Sequence, residues 1–527
     1  MKYKNIISYM AILFVMAVFT TGCNKDFESY NQDPYALTNS DLEADFRLVG
    51  EPFKKIIRNI YAHDPAWVTQ LQQNLIGDVY SGYMMPPTPF AGNSNNMTYN
   101  LVDGWNTWAW NVSYSRVMGP ALFVEQNAGE DFPEFLAWLK ILKVEAMHRL
   151  SDMFGPIIYT QYGKVGDDGS IKYDCVEDLY NQFFKDLDDG IAGLEAFKTT
   201  GKPSPFTNFD EVYAGDIDSW IKFANTLRLR LAIRVSKVAP DLAKTQGEKA
   251  MSQSLGLITG NDLNFTVKND VDHPLNTINT AWGDIRMGAP MESILVGYDD
   301  PRLPKYFAPA TQDEVAGQYK GIRQGIDISD KGTYLNFSQL QPLGDVQLMV
   351  SAETHFLLAE AALRGWNVTG TAQAHYEMGI QASFDQYGLG DASSYYNDDT
   401  KTAIPYVDVN NPANSLDAGD PHLSKITVKW DENADFETKL EKIITQKWIS
   451  MYPDGQEAWS EYRRTGYPKL FPVMVNNSGG EIDTEAGIKR IKYISGEYLQ
   501  NPIGTKSGVD CLGGPDTGGT PLWWDVD

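Results

Sequence analysis

The chain is poor in cysteine: three in 527 residues. So few exclude a disulfide framework as the source of its stability. Beyond Cys23, only Cys175 and Cys511 remain. Two such residues can pair in an oxidising exterior compartment, but a single pair is no scaffold, and the reading leans against a bridge. Histidine is equally sparse, with six scattered copies. His148 and His355 sit inside helical patterns and read as structural residues. There is no H-E-x-x-H, no G-x-S-x-G, no P-loop and no G-x-G-x-x-G ahead of a helix. "DENADFE" and "YNDDTKT" lack the glycine and closing glutamate of an EF-hand. Neither cofactor nor metal is called for. Positive charge is the next deficit: 44 Lys and Arg against 69 Asp and Glu, a formal net charge of −25. Such a surface repels phosphate backbones, which excludes nucleic acid as a partner. Among so many carboxylates a glycosidase-like pair can always be nominated, so that signal carries nothing. Long apolar runs are absent after the first 20 residues or so.

What is there begins at that early run. Lys2 and Lys4 precede an almost wholly apolar stretch, residues 6–19, then the small residues Thr20, Thr21 and Gly22, then Cys23. This is the plan of a secretory signal, too short to span a bilayer. Small residues just before a cysteine fit a bacterial lipoprotein signal, in which that cysteine becomes the lipidated N-terminus. Thr20 departs from the leucine usual at its place. Residues 1–22 are therefore read as a signal peptide and Cys23 as the lipidation site. Two or more acyl tails hold firmly where one holds only marginally. Residues 23–40, polar and without apolar periodicity, read as a flexible tether, and 41–527 as a single domain.

The body is rich in aromatics, with 13 Trp, 28 Tyr and 23 Phe, and in helical periodicity. Phe135, Leu139, Leu142, Ala146 and Leu150 recur every three or four residues behind Pro133. Trp220, Ala224, Leu227, Leu231 and Val235 do the same. Ala352, Phe356, Ala359 and Leu363 form a stripe ended by Gly365, and Ala372, Tyr376, Ile380 and Phe384 start the next. Leu440, Ile444, Trp448 and Met451 run up to "YPDG", and Trp459 and Tyr462 resume the pattern. Helix, glycine turn and helix, studded with alanines, suggest degenerate tetratricopeptide-like hairpins without a clean repeat. The stretches 81–104, 261–291 and 388–432 are irregular and too long to be mere connectors.

Several of these stretches carry a resemblance. "YDDPRLPKYF" (298–307), "AETHFLLAEAALRGW", "HYEMGIQASFDQYG", "QKWISMYPDGQEAWSEYRRTGYPKL" (446–470) and "HRLSDMFGPIIYT" (148–160) resemble the SusD/RagB family, with Ile158 where a proline is usual. "DGWNTWAWNVSYSRVM" (103–118) and the closing "LWWD" resemble one subgroup of it. The resemblance implies a mostly helical, α-superhelical fold with four tetratricopeptide-like hairpins and a loop-rich ligand-binding region. It implies a lipoprotein on the outer face of the outer membrane of Bacteroidota. Such a protein would capture an oligosaccharide, or in some members a peptide, for a SusC-like TonB-dependent barrel, and do no chemistry. The early Lys25, Asp26 and Glu28 resemble the acidic export signal of such lipoproteins.

A sugar binder needs exposed rings beside amides and charges on loops. Residues 81–110 supply Tyr83, Phe90, Asn93, Asn96, Tyr99 and Trp105, and residues 276–286 supply Trp282 and Arg286, with Asn279 and Asp284 beside them. These are the candidate ligand-binding residues. Trp108 and Trp110 are expected to be buried in the following helix. Tyr83, Phe90 and Trp282 admit both platform and core. Arg463 and Arg464 read as structural, pairing with Glu457 or Glu461. A surface glycosidase and a purely protein-binding repeat scaffold are the readings from other classes.

Overall fold

The computed structural model describes residues 45–268 and 270–526. The signal, Cys23 and the tether lie outside the described residues. The chain divides into two units. Of the first, which ends at Leu48, Arg47 and Leu48 open a helix; the second, Val49–Asp527, holds the rest. Among the described residues no helix is long and apolar enough to cross a membrane.

The architecture is mostly helical. Helix α1 (Arg47–Ile60) leads to a short turn α2 (Ala66–Thr69), which continues as a wider helical segment, Gln70–Asp78. Then come α3 (Asp103–Val112), α4 (Gly119–Ala128), α5 (Pro133–Phe154), α6 (Val176–Thr199), α7 (Ile217–Arg234) and α8 (Pro240–Met251). The C-terminal half holds α9 (Ser351–Leu363), α10 (Ala372–Gln386), α11 (Phe436–Met451), α12 (Gly455–Thr465), α13 (Ser495–Gln500) and α14 (Pro502–Asp510).

Local chemistry explains the boundaries. Pro133 opens α5, where a missing N–H costs nothing. Asp216, Thr371 and Asp435 cap α7, α10 and α11 by accepting from the N–H groups of Asp218, Ala374 and Thr438. The apolar stripes turn inward, so Phe135, Leu139, Trp220, Leu227, Phe356 and Trp448 are all buried. Successive helices pack as pairs: α5 on α6, α7 on α8, α9 on α10. At the α9–α10 crossing, a Cβ on Gly379 would stand 2.7 Å from the Phe356 ring, so only glycine permits the approach.

Charge is buried where these helices meet. Arg230 on α7 makes a two-pronged pair with Glu353 on α9, at 2.8 and 2.7 Å. Arg234 reaches Glu457 and, at 2.8 Å, Glu461 on α12. Lys447 on α11 lies 3.1 Å from Glu461. Arg464 holds Glu360 through two bonds of 2.7 Å and pairs with Glu461. Arg463 instead donates to the carbonyls of Trp459 and Lys489. Both arginines are interior structural groups: Arg464 pairs with Glu461 as expected of a helix-end arginine, while Arg463 bonds carbonyls and pairs with neither glutamate. The guanidinium forks tie α7, α9 and α12 together, and the Lys447 ammonium adds α11.

One expectation is corrected here. Cys175, at the start of α6, and Cys511, at the end of α14, form a disulfide across 336 residues of sequence. Their separation hid the pairing, because only the return of the C-terminal segment to α6 brings their Cα atoms to 5.4 Å.

Candidate functional site

Among the described residues, two short antiparallel ladders interrupt the helices. Strand β2 (Phe265–Val267) pairs with β4 (Val346–Met349). Strand β1 (Met84–Met85) pairs with β3 (Arg286–Met287), placing Met84 opposite Met287 and Met85 opposite Arg286. This second ladder joins the two aromatic, amide-rich stretches. The loop after β1 and the segment before β3 emerge side by side, and a third segment, 327–337, closes over them.

Hydrogen bonds lock the three together. Thr88 donates its hydroxyl to Asp284. Lys331 donates to the Trp282 carbonyl oxygen at 2.6 Å and to Asp284 at 2.8 Å. The Asn93 amide donates to Asp327 at 2.5 Å and to the Ile328 carbonyl at 2.8 Å. Ala91, Gly92 and Asn93 stand consecutively at φ of 50, 61 and 65°. Two non-glycine residues in the left-handed region are strained, and the surrounding bonds hold them there. Phe90 leaves this turn and meets Trp105 of α3 edge-on, with ring centroids 5.7 Å apart and planes at 84°. Phe90, Trp105 and Trp282 are each half-buried, packed against the core on one side and open on the other.

The remaining candidates lie inside, and burial corrects their expected role. Tyr83 is fully buried; it donates to the Trp448 carbonyl and packs its ring 5.0 Å from that indole. Asn96 is also fully buried. It bonds the Leu75 carbonyl at 3.1 Å and Asn106 at 2.9 Å, and accepts from the Val102 N–H, stapling the loop rather than facing solvent. Tyr99 is buried and lines a partly open pocket with Met97, Trp459, Tyr462 and Glu485. Arg286 is buried on β3 and donates to the carbonyls of Leu335, Asn279 and Ile285. Burial pushes its guanidinium down to about 10. Tyr83 and Arg286 are held by backbone oxygens and Asn96 by backbone groups and Asn106, partners that composition cannot reveal.

Other side chains escaped the sequence reading. Thr88, Asp327 and Lys331 carry no aromatic or motif signal; only the turn-like "SDKG" marks the third segment. Trp108, expected in the core, is half-buried and meets Trp67, which is 40% exposed. Trp110 is buried as expected.

A possible metal cluster lies elsewhere. His148, Asp152 and Glu457 bring ligand-type atoms within 4.8 Å of one another, deep in the interior. Arg234 already occupies that space, 3.5 Å from Asp152 and bonded to Glu457. Burial would lower the His148 pKa, but Asp152 and Glu145 override it and raise the value. A cationic, self-neutralised cluster does not fit a divalent ion. Two sizeable clefts, about 860 and 770 Å³, are lined by other segments, around Trp430 and around Tyr319.

A mostly helical body with half-buried Phe90, Trp105 and Trp282 beside hydrogen-bonding loops offers aromatic and polar groups for binding. Comparison with known proteins gives the family. The profile described as SusD-like, SusD and RagB outer membrane lipoprotein, matches residues 29–525, and the chain belongs to this family. Its members are binding proteins and not enzymes. None of the curated proteins compared matches the chain. Solved structures do. A chitin-binding SusD homolog from Flavobacterium johnsoniae is 48% identical, with a TM-score of 0.88 over 91% of this chain and 99% of that one. A SusD homolog from Bacteroides vulgatus is 37% identical, with a TM-score of 0.85 over 92% and 99%. A SusD-like protein from Bacteroides thetaiotaomicron is 32% identical, with a TM-score of 0.84 over 91% and 99%.

Proposed function

We propose that this protein is a lipid-anchored, outward-facing receptor of the outer membrane. It captures chitin-type oligosaccharides without altering them and passes them to a SusC-like TonB-dependent barrel. The reading is supported by half-buried Phe90 and Trp105, whose rings meet, and half-buried Trp282, carried on segments that the β1–β3 ladder and the Thr88–Asp284–Lys331 bonds tie together. Pyranose rings present flat C–H faces that stack on such rings, while hydroxyl and N-acetyl groups find donors and acceptors at the edge. The relative that is 48% identical binds chitin, which supports the ligand class. An open face suits a polymer segment better than an enclosed pocket does.

The anchor belongs to the same proposal. Residues 1–22 are removed, Cys23 carries the lipid, 23–40 tether the body and 41–527 form one domain. Cys23→Ala should release the protein from membranes. Full retention, with normal fatty-acid labelling of the variant, would overturn the anchor.

Calorimetry with chitooligosaccharides, other glycans and peptides tests the ligand. Trp282→Ala should weaken chitooligosaccharide binding by about 1–3 kcal/mol with only a modest fall in melting temperature, because the ring is half open. Wild-type affinity with a collapsed melting temperature would assign Trp282 to the core and overturn the platform. Binding of peptide alone would overturn the ligand class, and sustained product release would overturn the absence of turnover.

A further inference from the structure

Trp67 and Trp108 form an indole pair that the face described above does not use. The rings meet edge to face, with centroids 4.6 Å apart and planes at 88°. Trp108 is backed by Ala62, Val68 and Val112, a small cluster separate from the two large cores. Trp67 covers it from outside and stays 40% exposed. A large indole held rigidly and left open is not explained by packing, since the core gains little from it. In an edge-to-face pair one ring is gripped at its edge only, so its broad face stays free.

Two independent connections tie this pair to the primary face. Trp108 lies three residues beyond Trp105 on α3, on adjoining sides of one helix. Trp105 contacts Phe90, and Trp108 contacts Trp67, so the two aromatic pairs are neighbours along α3. The turn α2, which carries Trp67, packs against residues 274–281, the segment that runs directly into Trp282. The surroundings are polar and hydrogen-bonding. Asn111, one turn past Trp108, is exposed, and Arg116 is held by the Asn59 amide oxygen at 3.2 Å and the Asp64 carbonyl at 3.1 Å.

Resting on the glycan reading above, we propose that Trp67 and Trp108 form a second sugar subsite, continuous with the Phe90–Trp105–Trp282 face. A long oligosaccharide then spans both subsites and a short one fills only the primary face. The protein thereby selects for chain length. The occupant is a further pyranose of the same chain: a flat ring with a polar rim matches an open indole, with Asn111 exposed one turn beyond Trp108 on the same helix.

The test is calorimetry on the purified protein with the chitin trimer and hexamer. In the wild type the hexamer should bind more tightly. Trp67→Ala should lower hexamer affinity about tenfold and collapse the hexamer-to-trimer ratio. Trp67→Phe, which keeps a flat ring, should recover part of it. Trp282→Ala should weaken both lengths alike. Melting curves of all variants exclude unfolding as the cause, and Trp67 is open enough to be removed without collapse. An unchanged ratio in Trp67→Ala, with both lengths weakened by Trp282→Ala, would overturn the second subsite and leave the glycan reading standing. Failure of the wild type to bind either length would overturn both. Unchanged affinities with lost uptake in cells would make the pair a protein contact and overturn the subsite.

Discussion

Lys331 bonds Asp284 at 2.8 Å across the mouth of the aromatic face. The same ammonium holds the backbone oxygen of Trp282. One side chain from an otherwise featureless segment thus ties down the backbone at Trp282 and the side chain of Asp284. The ion pair is part-exposed, at 34% for the lysine and 13% for the aspartate, so its value is positional rather than energetic.

Lys331→Met should therefore change stability by no more than about 1 kcal/mol. Glycan affinity should fall several-fold as the 282–284 segment loses its tie. Melting temperature and titration calorimetry on one preparation check both. A large loss of stability with intact binding would count against a positioning role.

Tyr83 should behave as the opposite of Trp282. Its ring is fully enclosed by Trp448 and Tyr452, and its hydroxyl is bonded to a backbone carbonyl. Tyr83→Ala should cost about 3–5 kcal/mol of folding stability. Tyr83→Phe should cost about 1 kcal/mol, the net value of one buried hydrogen bond. Denaturant unfolding measures both.

Acid and near-neutral pH should act on different carboxylates. Burial alone would raise the Asp454 pKa, but Arg149, with two bonds of 2.8 Å, overrides it and holds the value below 3.8. A lowered folded pKa contributes stability above the unfolded value, lost as pH falls below about 4. Asp78 lacks such a partner, and burial pushes it up to about 7. A raised folded pKa contributes stability at low pH, lost as pH rises between about 4 and 7. The unfolding midpoint should peak near pH 5 and fall on both sides. Asp78→Asn should flatten the upper limb, and Asp454→Asn should flatten the acid limb and also move the upper limb to lower pH, because the Asp454 charge helps raise Asp78.

The disulfide should be worth about 2–5 kcal/mol, because it closes a very long loop in the unfolded chain. Cys175→Ser should lower the melting temperature. A reducing agent should shift the wild type by the same amount and leave the variant unmoved. An equal response of both to reduction would deny the bridge a role.

The helices were legible because their signal is local. Phe135 to Leu150 and Trp220 to Val235 repeat at the helical period, and each proline, cap or glycine boundary lies within a few residues of the stripe it ends. The family was legible for the same reason, through short ordered stretches spread along the chain. The composition of the face was also written there: aromatic and amide-rich irregular segments pointed to residues 81–110 and 276–286, and the β1–β3 ladder joins them.

What the tertiary structure alone decided is which side of each ring meets water. Tyr83 and Trp282 sit in similar loops, yet Tyr83 finds Trp448, 365 residues away, while Trp282 is held at the surface by Lys331. Cys175 and Cys511, and Arg230 and Glu353, are likewise partners brought together only by the closing of the whole fold. Periodicity reports burial along one element. Exposure in a loop depends on which distant segment covers it, and that is set by long-range packing, which one-dimensional spacing does not encode.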